Sequence, residues 1–501
     1  MKKTLWIITL CWLCFMQAAL ASVKLSYQVS FEPQSKYIIV NLKATQMDAP
    51  TTLFKMPVWA PGYYLILDYP KNLTDFQVTD GQGQEIRWQK EGKNAWRIYN
   101  GKLAEVNISY RIFANNQSVA EAKITEDKAF LPGNGIYLYV DNEKESAVQV
   151  SFTLPDNWSK VVTGLDLVDA TTHTYQAKNI DVLYDCPTYI GNPEIVNFTL
   201  DGKEYELSME TPDGYKETTF VDDLKKMIQT TTRMMGHVPY DHYHFILMGK
   251  GGGGLEHLNS QACFTSGWFF FEDRYRYLNF LSFITHEYFH LYNVKTIRPI
   301  ELGPFDYDRE VFTPTLWISE GFTVYYESRL LHSAGLISDE EFLQDMSGHI
   351  RTVESKEGHR HMSLRESSYD IWLHFFNRNA NRNDVIISYY DKGPILGLLM
   401  DIEIRRLTDN RKSLDDVMRA LYYNYHIDQH RGFTEEEFWQ TCADVAGSPL
   451  IEIRQYVDTT CEIDYARYLD YAGLQMDENY QITKRPQANG KVNLFKETPL
   501  R

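Results

Sequence analysis

The spacing of hydrophobic and polar residues changes near Pro193. Before it, the chain consists of short alternating or apolar runs, such as Lys36–Leu42 and Ala147–Leu154, with few helical stretches. Alternation with a period of two is typical of β-strands that bury one face. The pattern predicts an N-terminal all-β domain over residues 22–192, built as a sandwich-like pair of sheets.

After Pro193 the apolar residues recur mainly at helical spacing, so the predicted fold class is α+β and multidomain. The expected order is a helix, a strand, a glycine-rich loop and two more helices, within a catalytic domain that we place at residues 193–395. A C-terminal helical domain is expected over residues 396–501, with no internal repeat. The expected elements are listed here: Glu217–Met235, Tyr243–Met248, Leu278–Tyr292, Thr315–Leu331, Pro394–Leu407, and helical runs near 413–425, 434–446 and 449–457.

Residues 1–21 have the features of a signal peptide. Two lysines precede the apolar run Leu5–Phe15, and the small residues Ala19 and Ala21 frame a cleavage site. An uncleaved membrane anchor is the alternative, but this run is too short to span a bilayer comfortably, and no later segment is long and apolar enough to do so. We expect an exported protein, periplasmic or secreted, with no membrane span.

The formal net charge is -17, and signal removal would make it more negative by two. An acidic surface of this kind argues against nucleic acid or anionic membranes as partners and slightly favours amine-bearing substrates. Four cysteines remain after cleavage, without any Cys-x-x-Cys pair that would indicate a cysteine zinc site. Cys442 and Cys461 are close enough in sequence for a disulfide, and unpaired buried thiols are the equal alternative.

The segment His286-Glu287-Tyr-Phe-His290 carries the strongest chemical signal. Two imidazoles four residues apart lie on one helix face and can bind one metal ion, and the carboxylate of Glu287 can act as general base on an attacking water. A satisfied structural pair of histidines is the alternative. The apolar residues before His286 recur at helical spacing, which supplies the helix that the metal-binding interpretation requires.

A second predicted helix offers a third metal ligand. Glu320 lies on a face with Trp317 and Thr323, where an unpaired acid would be costly. A catalytic zinc ion has three protein ligands and one open position, so His286, His290 and Glu320 are predicted to bind one Zn²⁺ per chain. A solvated carboxylate is the alternative for Glu320, and we expect Glu327 on the same helix to be solvated.

His-Glu-x-x-His followed by a Trp-x-x-Glu-Gly helix is the gluzincin pattern shared with aminopeptidase N. The chain resembles the glycyl aminopeptidase family, family 61 of the metallopeptidases, in the sequence HEYFHLYNVKTIRPIELGPFDYDRE followed by LWISEGFTVYY. The spacing of 29 residues between His290 and Glu320 is also similar to that family's. The resemblance runs from about residue 25 to about residue 475. It implies a thermolysin-like α+β core and a zinc peptidase that removes small first residues, glycine or alanine.

The segment Gly251–His257 is similar to that family's Gly-Gly-x-Glu-His segment and takes the place of the amine-binding edge strand of aminopeptidase N. Glycines allow a ligand to approach the backbone closely. We expect Gly252, Gly253 and Gly254 to pair with an extended substrate and Glu256 to bind its free α-amino group. The alternative is a flexible loop with a solvated glutamate.

The segment Ser388–Gly393 resembles the stretch that gives aminopeptidase N its catalytic tyrosine. A phenol beside the metal can donate a hydrogen bond to a tetrahedral oxyanion, so Tyr390 is the predicted donor. The chain has 34 tyrosines, so a structural role is the default for any one of them. Three others remain alternatives: Tyr389, Tyr325 and Tyr326.

Two further segments bear on organisation. Met56–Tyr63 resembles a Pro-x-Trp-x-Pro-Gly-x-Tyr signature of the same family, and its Pro-Gly pair is expected to form a structural turn. Many members of that family carry a PDZ domain after the catalytic part. Only 27 residues follow Leu474, which is too few for a PDZ fold, so we expect no PDZ domain in this sequence.

The expected activity is zinc-dependent removal of N-terminal residues from peptides. Two alternatives remain open. One is a zinc endopeptidase on the same fold, in which Glu256 binds no amine. The other is an exported, non-catalytic binding protein with a structural metal, although such a site has no use for Glu287 and would fill its fourth position with a residue.

Overall fold

A computed structural model describes residues 23–210, 217–265, 273–374, 382–486 and 490–496. The predicted signal peptide lies outside the described residues. The N-terminal strands are β1 (Lys24–Glu32), β2 (Tyr37–Thr45), β3 (Thr52–Lys55), β4 (Leu73–Thr79), β5 (Trp88–Glu91), β6 (Ala95–Ile98), β7 (Glu105–Phe113), β8 (Asn115–Ser118), β9 (Glu121–Ile124), β10 (Ala129–Leu131), β11 (Tyr139–Val140), β12 (Val148–Phe152), β13 (Lys160–Thr163), β14 (Asp166–Asp169), β15 (Thr174–Ala177) and β16 (Thr188–Gly191). The short helix α1 (Ile180–Tyr184) precedes β16.

The described N-terminal strands form three sheets, so the expected pair of sheets is wrong. A seven-stranded sheet has the order β14-β15-β12-β1-β2-β7-β4, and a five-stranded sheet has the order β13-β16-β10-β9-β8. The third sheet has the order β11-β3-β6-β5, and its short strands pair with one another and not with the long strands. The all-β character of the region is as predicted. Alternate residues of β1 are buried, as its alternating sequence requires.

The next elements are β17 (Glu194–Leu200), β18 (Lys203–Met209), α2 (Glu217–Met235), β19 (His242–Met248), β20 (Gly254–Glu256), β21 (Ser260–Phe264) and α3 (Arg274–Phe289). The strands form one sheet with the order β17-β18-β19-β21-β20. The β17–β18 hairpin was not predicted. Its turn residues Asp201 and Gly202 have φ values of 51° and 77°, and an Asp-Gly pair between hydrophobic runs is the sequence signal that would have found it.

This five-stranded sheet lies between two hydrophobic clusters. On β19, Ile246 and Met248 pack into the cluster of the N-terminal sheets, whereas Phe245 and Leu247 pack into the cluster of the helices. Successive residues of a strand point to opposite faces, so one strand serves both clusters. The edge strand β20 is therefore held between the N-terminal sheets and the helices.

The remaining part is mainly helical, as predicted. It comprises a π-helical turn (Trp317–Gly321), α4 (Phe322–Ser333), α5 (Asp339–Glu354), α6 (Leu364–Tyr369), α7 (Ile371–His374), α8 (Arg382–Val385), α9 (Tyr389–Leu407), α10 (Leu414–Leu421), a second π-helical turn (Tyr422–Ile427), α11 (Glu435–Ala446), α12 (Ile451–Asp458) and α13 (Tyr465–Tyr471). A short hairpin of β22 (Leu474–Met476) and β23 (Ile482–Lys484) follows. Short 3₁₀ turns span Tyr69–Asn72, Gly133–Gly135, Ile300–Leu302 and Glu357–Arg360.

Helix α9 begins at Tyr389, earlier than the predicted start at Pro394. Ser388 caps it, because its Oγ accepts a hydrogen bond from the backbone N–H of Tyr390 at 3.2 Å. The cap sets the start of the helix, and Pro394 lies inside it.

The four cysteines in the described ranges are free, and Cys442 is buried while Cys461 is exposed, so the disulfide alternative is not realised. Within the described ranges, none of the helices combines the length and apolar character that a membrane span requires. The boundaries at residues 192 and 395 stay predictions.

Candidate metal and substrate site

Helix α3 presents the predicted histidine pair. The side chain of Asp273 caps the helix by accepting from the N–H of Arg276 at 2.8 Å. His286 and His290 follow at the other end, and their Nε2 atoms lie 3.0 Å apart. Two imidazole nitrogens this close, both facing the same point, are arranged to bind one ion.

Glu320 brings the third ligand atom to the same point. Its Oε2 lies 3.3 Å from His290 Nε2 and 3.7 Å from His286 Nε2. The residue sits in the π-helical turn that precedes α4. Such a turn contains one residue more than an α-helical turn and often occurs at functional sites.

These three residues fit a zinc ion. Tetrahedral zinc with bonds of about 2.0 to 2.1 Å to nitrogen and oxygen keeps its ligand atoms roughly 3.3 to 3.4 Å apart. The observed separations of 3.0, 3.3 and 3.7 Å bracket that value. The imidazole and carboxylate donors are also the types that catalytic zinc prefers.

The charge around the three ligands also calls for a cation. Four glutamates gather here: Glu256, Glu287, Glu320 and Glu327. Among the described residues, no lysine or arginine forms an ion pair with any of them, and only the two histidines do so. Buried carboxylates without positive partners are costly, and a bound dication would offset their charge.

Glu327 is not solvated, so that prediction is wrong. Its Oε2 accepts a hydrogen bond from His286 Nδ1 at 2.8 Å, and its Oε1 accepts one from Ser282 at 3.1 Å. The contact fixes the imidazole with Nε2 toward the metal point. The signal was available in the sequence, because Glu327 lies seven residues after Glu320 and so on the same helix face.

His290 is oriented in a similar way by a residue that the sequence analysis missed. Its Nδ1 donates to the backbone carbonyl of Asn293 at 2.7 Å. The side chain of Asn293 then donates to the carbonyls of Ile318 and Ser319 at 2.8 and 3.0 Å. Asn293 therefore joins the end of α3 to the turn that carries Glu320.

The predicted general base Glu287 lies on the same helix and is 5% exposed. Burial raises the pKa of its carboxyl to about 7, and the neighbouring histidines act in the opposite direction. A side chain on Gly254 would collide with Glu287 Oε1, so the backbone of β20 passes directly against this carboxylate. Gly254 is thus placed beside the predicted general base.

Among the described strands, β20 forms one edge of the sheet β17-β18-β19-β21-β20. Gly254 starts the strand and Glu256 ends it, and one carboxylate oxygen of Glu256, Oε1, is buried without a hydrogen-bond partner. Gly252 and Gly253 precede the strand and are exposed, and a Cβ on either would meet nothing within 4 Å. The structure brings Gly254 and Glu256 to the site but leaves Gly252 and Gly253 outside the strand.

Tyr390 lies in the first turn of α9, and its ring centroid is 6.4 Å from that of His286. Helix α9 reaches this position because it crosses the Glu320 turn at two glycines. A Cβ on Gly393 would lie 2.5 Å from the Cα of Gly321, and the reverse substitution would give 2.6 Å. The two backbones are therefore in contact, which brings Tyr390 close to His286, one of the predicted metal ligands.

The alternative tyrosines are placed differently. The hydroxyls of Tyr325 and Tyr326 donate to Asp401 and Asp415 at 2.9 and 3.0 Å, in the interior of the helical part. Tyr389 is 1% exposed, and its ring lies 4.8 Å from that of Tyr390, which is half-buried. Tyr390 is therefore the more accessible of the two neighbours.

Two family models match this chain. The family model described as the M61 peptidase N-terminal domain matches residues 26–192, and the model described as M61 glycyl aminopeptidase matches residues 279–396. No curated protein matches the chain.

Among solved structures, the chain is similar to an aminopeptidase N family protein from Idiomarina loihiensis. The identity is 26%, the match covers 90% of this chain and 78% of the other, and the TM-score is 0.86. An M1 zinc metallopeptidase from Deinococcus radiodurans matches at 11% identity over 88% and 96% of the two chains, with a TM-score of 0.55. Native yeast LTA4 hydrolase matches at 15% identity over 89% and 68%, with a TM-score of 0.54. The last two indicate the fold alone.

Proposed function

The chain belongs to the M61 glycyl aminopeptidase family of metallopeptidases, and from that premise we propose that it is a zinc aminopeptidase that removes glycine or alanine from peptide N-termini. The observation that carries the aminopeptidase proposal is the position of Glu256. Its buried, unpartnered oxygen lies at the end of an edge strand whose other end contacts Glu287. A peptide along this strand would place its amino group at Glu256 and its first peptide bond at Glu287.

The chain's own residues supply most of the chemistry. His286, His290 and Glu320 would hold one zinc ion, which when bound polarises the scissile carbonyl and lowers the pKa of water. Glu287 takes the proton from the attacking water and passes it to the leaving amine. Tyr390 donates a hydrogen bond to the oxyanion as it forms. The proposal includes a thermolysin-like core over residues 193–395.

The proposal also includes export, with cleavage after Ala21. The charged start, apolar run and small residues of the first 21 positions support it. N-terminal sequencing of the protein recovered outside the cytoplasm tests this part.

Replacing Glu256 should erase the preference for a free N-terminus. A carboxylate facing an α-ammonium makes charge-assisted hydrogen bonds that an acetylated terminus cannot make. Losing them costs about 1.5 to 3 kcal/mol, or roughly ten- to a hundredfold in kcat/KM. We expect the native protein to cleave free peptides at least ~10-fold better than N-acetylated ones. Glu256→Ala should bring the two rates together while zinc content stays at one per chain.

The matched control is Glu340→Ala, which removes a largely exposed glutamate far along the chain in α5. It should leave the ratio of free to acetylated cleavage unchanged. If the native protein cleaves blocked peptides internally as well as free ones, it is an endopeptidase and Glu256 is no amine anchor. A zinc-loaded protein without turnover on any peptide would instead favour the non-catalytic alternative. Reporters of glycine, alanine, leucine and glutamate test the small-residue preference.

Tyr390→Phe should lower kcat by ~10²-fold or more and change KM less, because the phenol acts on the oxyanion rather than on bound substrate. Tyr389→Phe is the matched control, since it removes the same hydroxyl from the neighbouring, fully buried ring. Steady-state kinetics on one peptide with both variants decides between them. A larger loss in Tyr389→Phe would move the oxyanion role to that residue.

A further inference from the structure

The turn at Pro61 and Gly62, expected only to connect two strands, reaches the substrate site. The N–H of Tyr63 donates to the carbonyl of Ala60 at 3.0 Å, and Gly62 has a φ of +86°. A turn with proline second and a positive φ at the third residue is of type II, which strongly favours glycine at that position. The geometry of the turn thus accounts for the Pro-Gly pair.

The same glycine has a second constraint that the turn does not explain. A Cβ on Gly62 would collide with Glu256 Oε1 and would lie 2.9 Å from both Glu256 Oε2 and Leu255 Cδ1. The backbone of the turn is therefore packed directly against the carboxylate of Glu256. Only a hydrogen atom fits between them.

The residues on both sides of the turn hold it in a fixed position against Asp306 and Trp372. Trp59 Nε1 donates to the carbonyl of Asp306 at 2.8 Å, and the Trp59 ring packs edge-on against Trp372 with centroids 5.3 Å apart. Tyr64, on the other side of the turn, packs against Trp372 as well, at 5.9 Å. Both partners belong to the part of the chain that carries the metal ligands.

The contact lies at the border of a cavity. Pro61, Gly62 and Tyr64 line a cavity of about 540 Å³ together with Leu255 and Glu256, whereas Glu287 and the three predicted metal ligands do not line it. A group bound to the Glu256 carboxylate would therefore have the turn beside it, and the turn limits where that carboxylate can lie.

We propose that Gly62 is a positioning residue for substrate recognition: the N-terminal β region, through this turn, holds Glu256 in the orientation that selects a free amino terminus. The inference rests on the proposed function of Glu256. It assigns part of the substrate specificity to a residue that precedes Glu256 by 194 positions in the sequence.

The test compares Gly62→Ala with Gly83→Ala. Gly83 has nearly the same backbone angle, φ +85°, but a Cβ there would meet nothing within 4 Å, so the pair separates backbone strain from the contact with Glu256. Gly62→Ala should raise KM for free peptides by about tenfold, with a smaller change in kcat, and should reduce the preference over acetylated peptides by about the same factor. Gly83→Ala should retain both values, and both variants should keep zinc.

A second variant checks the contact itself. Glu256→Asp shortens the side chain by one methylene, which relieves the collision of the alanine methyl group with the carboxylate in Gly62→Ala/Glu256→Asp and leaves only the contact with the flexible end of Leu255. The double variant should recover part of the preference for free amino termini that Gly62→Ala loses. If circular dichroism shows that Gly62→Ala folds poorly, the double variant should instead recover part of the folded structure. Lack of recovery, or an unchanged preference in Gly62→Ala, would overturn the proposal. Equal cleavage of free and acetylated peptides by the native protein would instead remove the amine anchor itself, and this inference with it.

Discussion

Replacing Glu287 by glutamine is expected to lower kcat at least ~100-fold while one zinc per chain is retained. The amide keeps the size of the side chain but cannot accept the proton of the attacking water, and a general base contributes about 10² to 10⁴ in rate. The close packing of Glu287 against Gly254 favours glutamine over a larger change, because the two side chains are nearly isosteric. Single-turnover kinetics with zinc-loaded protein measures the effect.

The control for this variant is Glu340→Gln, which makes the same chemical change at an exposed position in α5. It should retain native kcat and zinc content. Native rates in zinc-loaded Glu287→Gln would exclude Glu287 as the base, and a loss of zinc from this variant would mean that its carboxylate also helps to bind the metal.

The second large effect should come from the metal ligands. His290→Ala and Glu320→Ala each remove one of three converging donor atoms, and a three-ligand site that loses one ligand binds zinc far more weakly. We expect both proteins to be purified with well under one zinc per chain and without measurable peptidase activity. Elemental analysis of dialysed samples gives the metal content directly.

His349→Ala serves as the matched control, because it removes a histidine that lies in α5, outside the site. That protein should keep its zinc. If both ligand variants retained a full complement of metal, the assignment of His290 and Glu320 as ligands would be wrong, whatever happened to the activity.

The sequence was sufficient to predict which candidate metal ligands converge and which carboxylate lies beside them, because the spacing within one helix face determines which side chains meet. His286, Glu287 and His290 follow from that spacing, and Glu320 follows from the cost of placing an acid on an apolar face. The prediction that Glu327 is solvated was wrong, because the composition of its helix does not indicate that it contacts His286. Its spacing of seven residues from Glu320 does indicate that it lies on the same helix face.

Other features depend on contacts that no local pattern encodes. The contact between Gly62 and Glu256 joins two regions whose strands belong to different sheets. The division of the N-terminal strands into three sheets depends on which short strands pair with each other. An alternating sequence shows that a strand buries one face, but it does not show which sheet the strand joins. The π-helical turn at Glu320 inserts one residue without any change in apolar spacing that would reveal it.

The crossing of Gly321 and Gly393 has a consequence for how this protein can vary. The backbones already touch there, so any larger residue must widen the crossing and carry Tyr390 away from Glu320. Neither glycine offers a side chain to a substrate or a metal. Substitution of either glycine should nevertheless lower the activity as strongly as substitution of a metal ligand. The two backbones can lie this close together only because neither residue has a side chain.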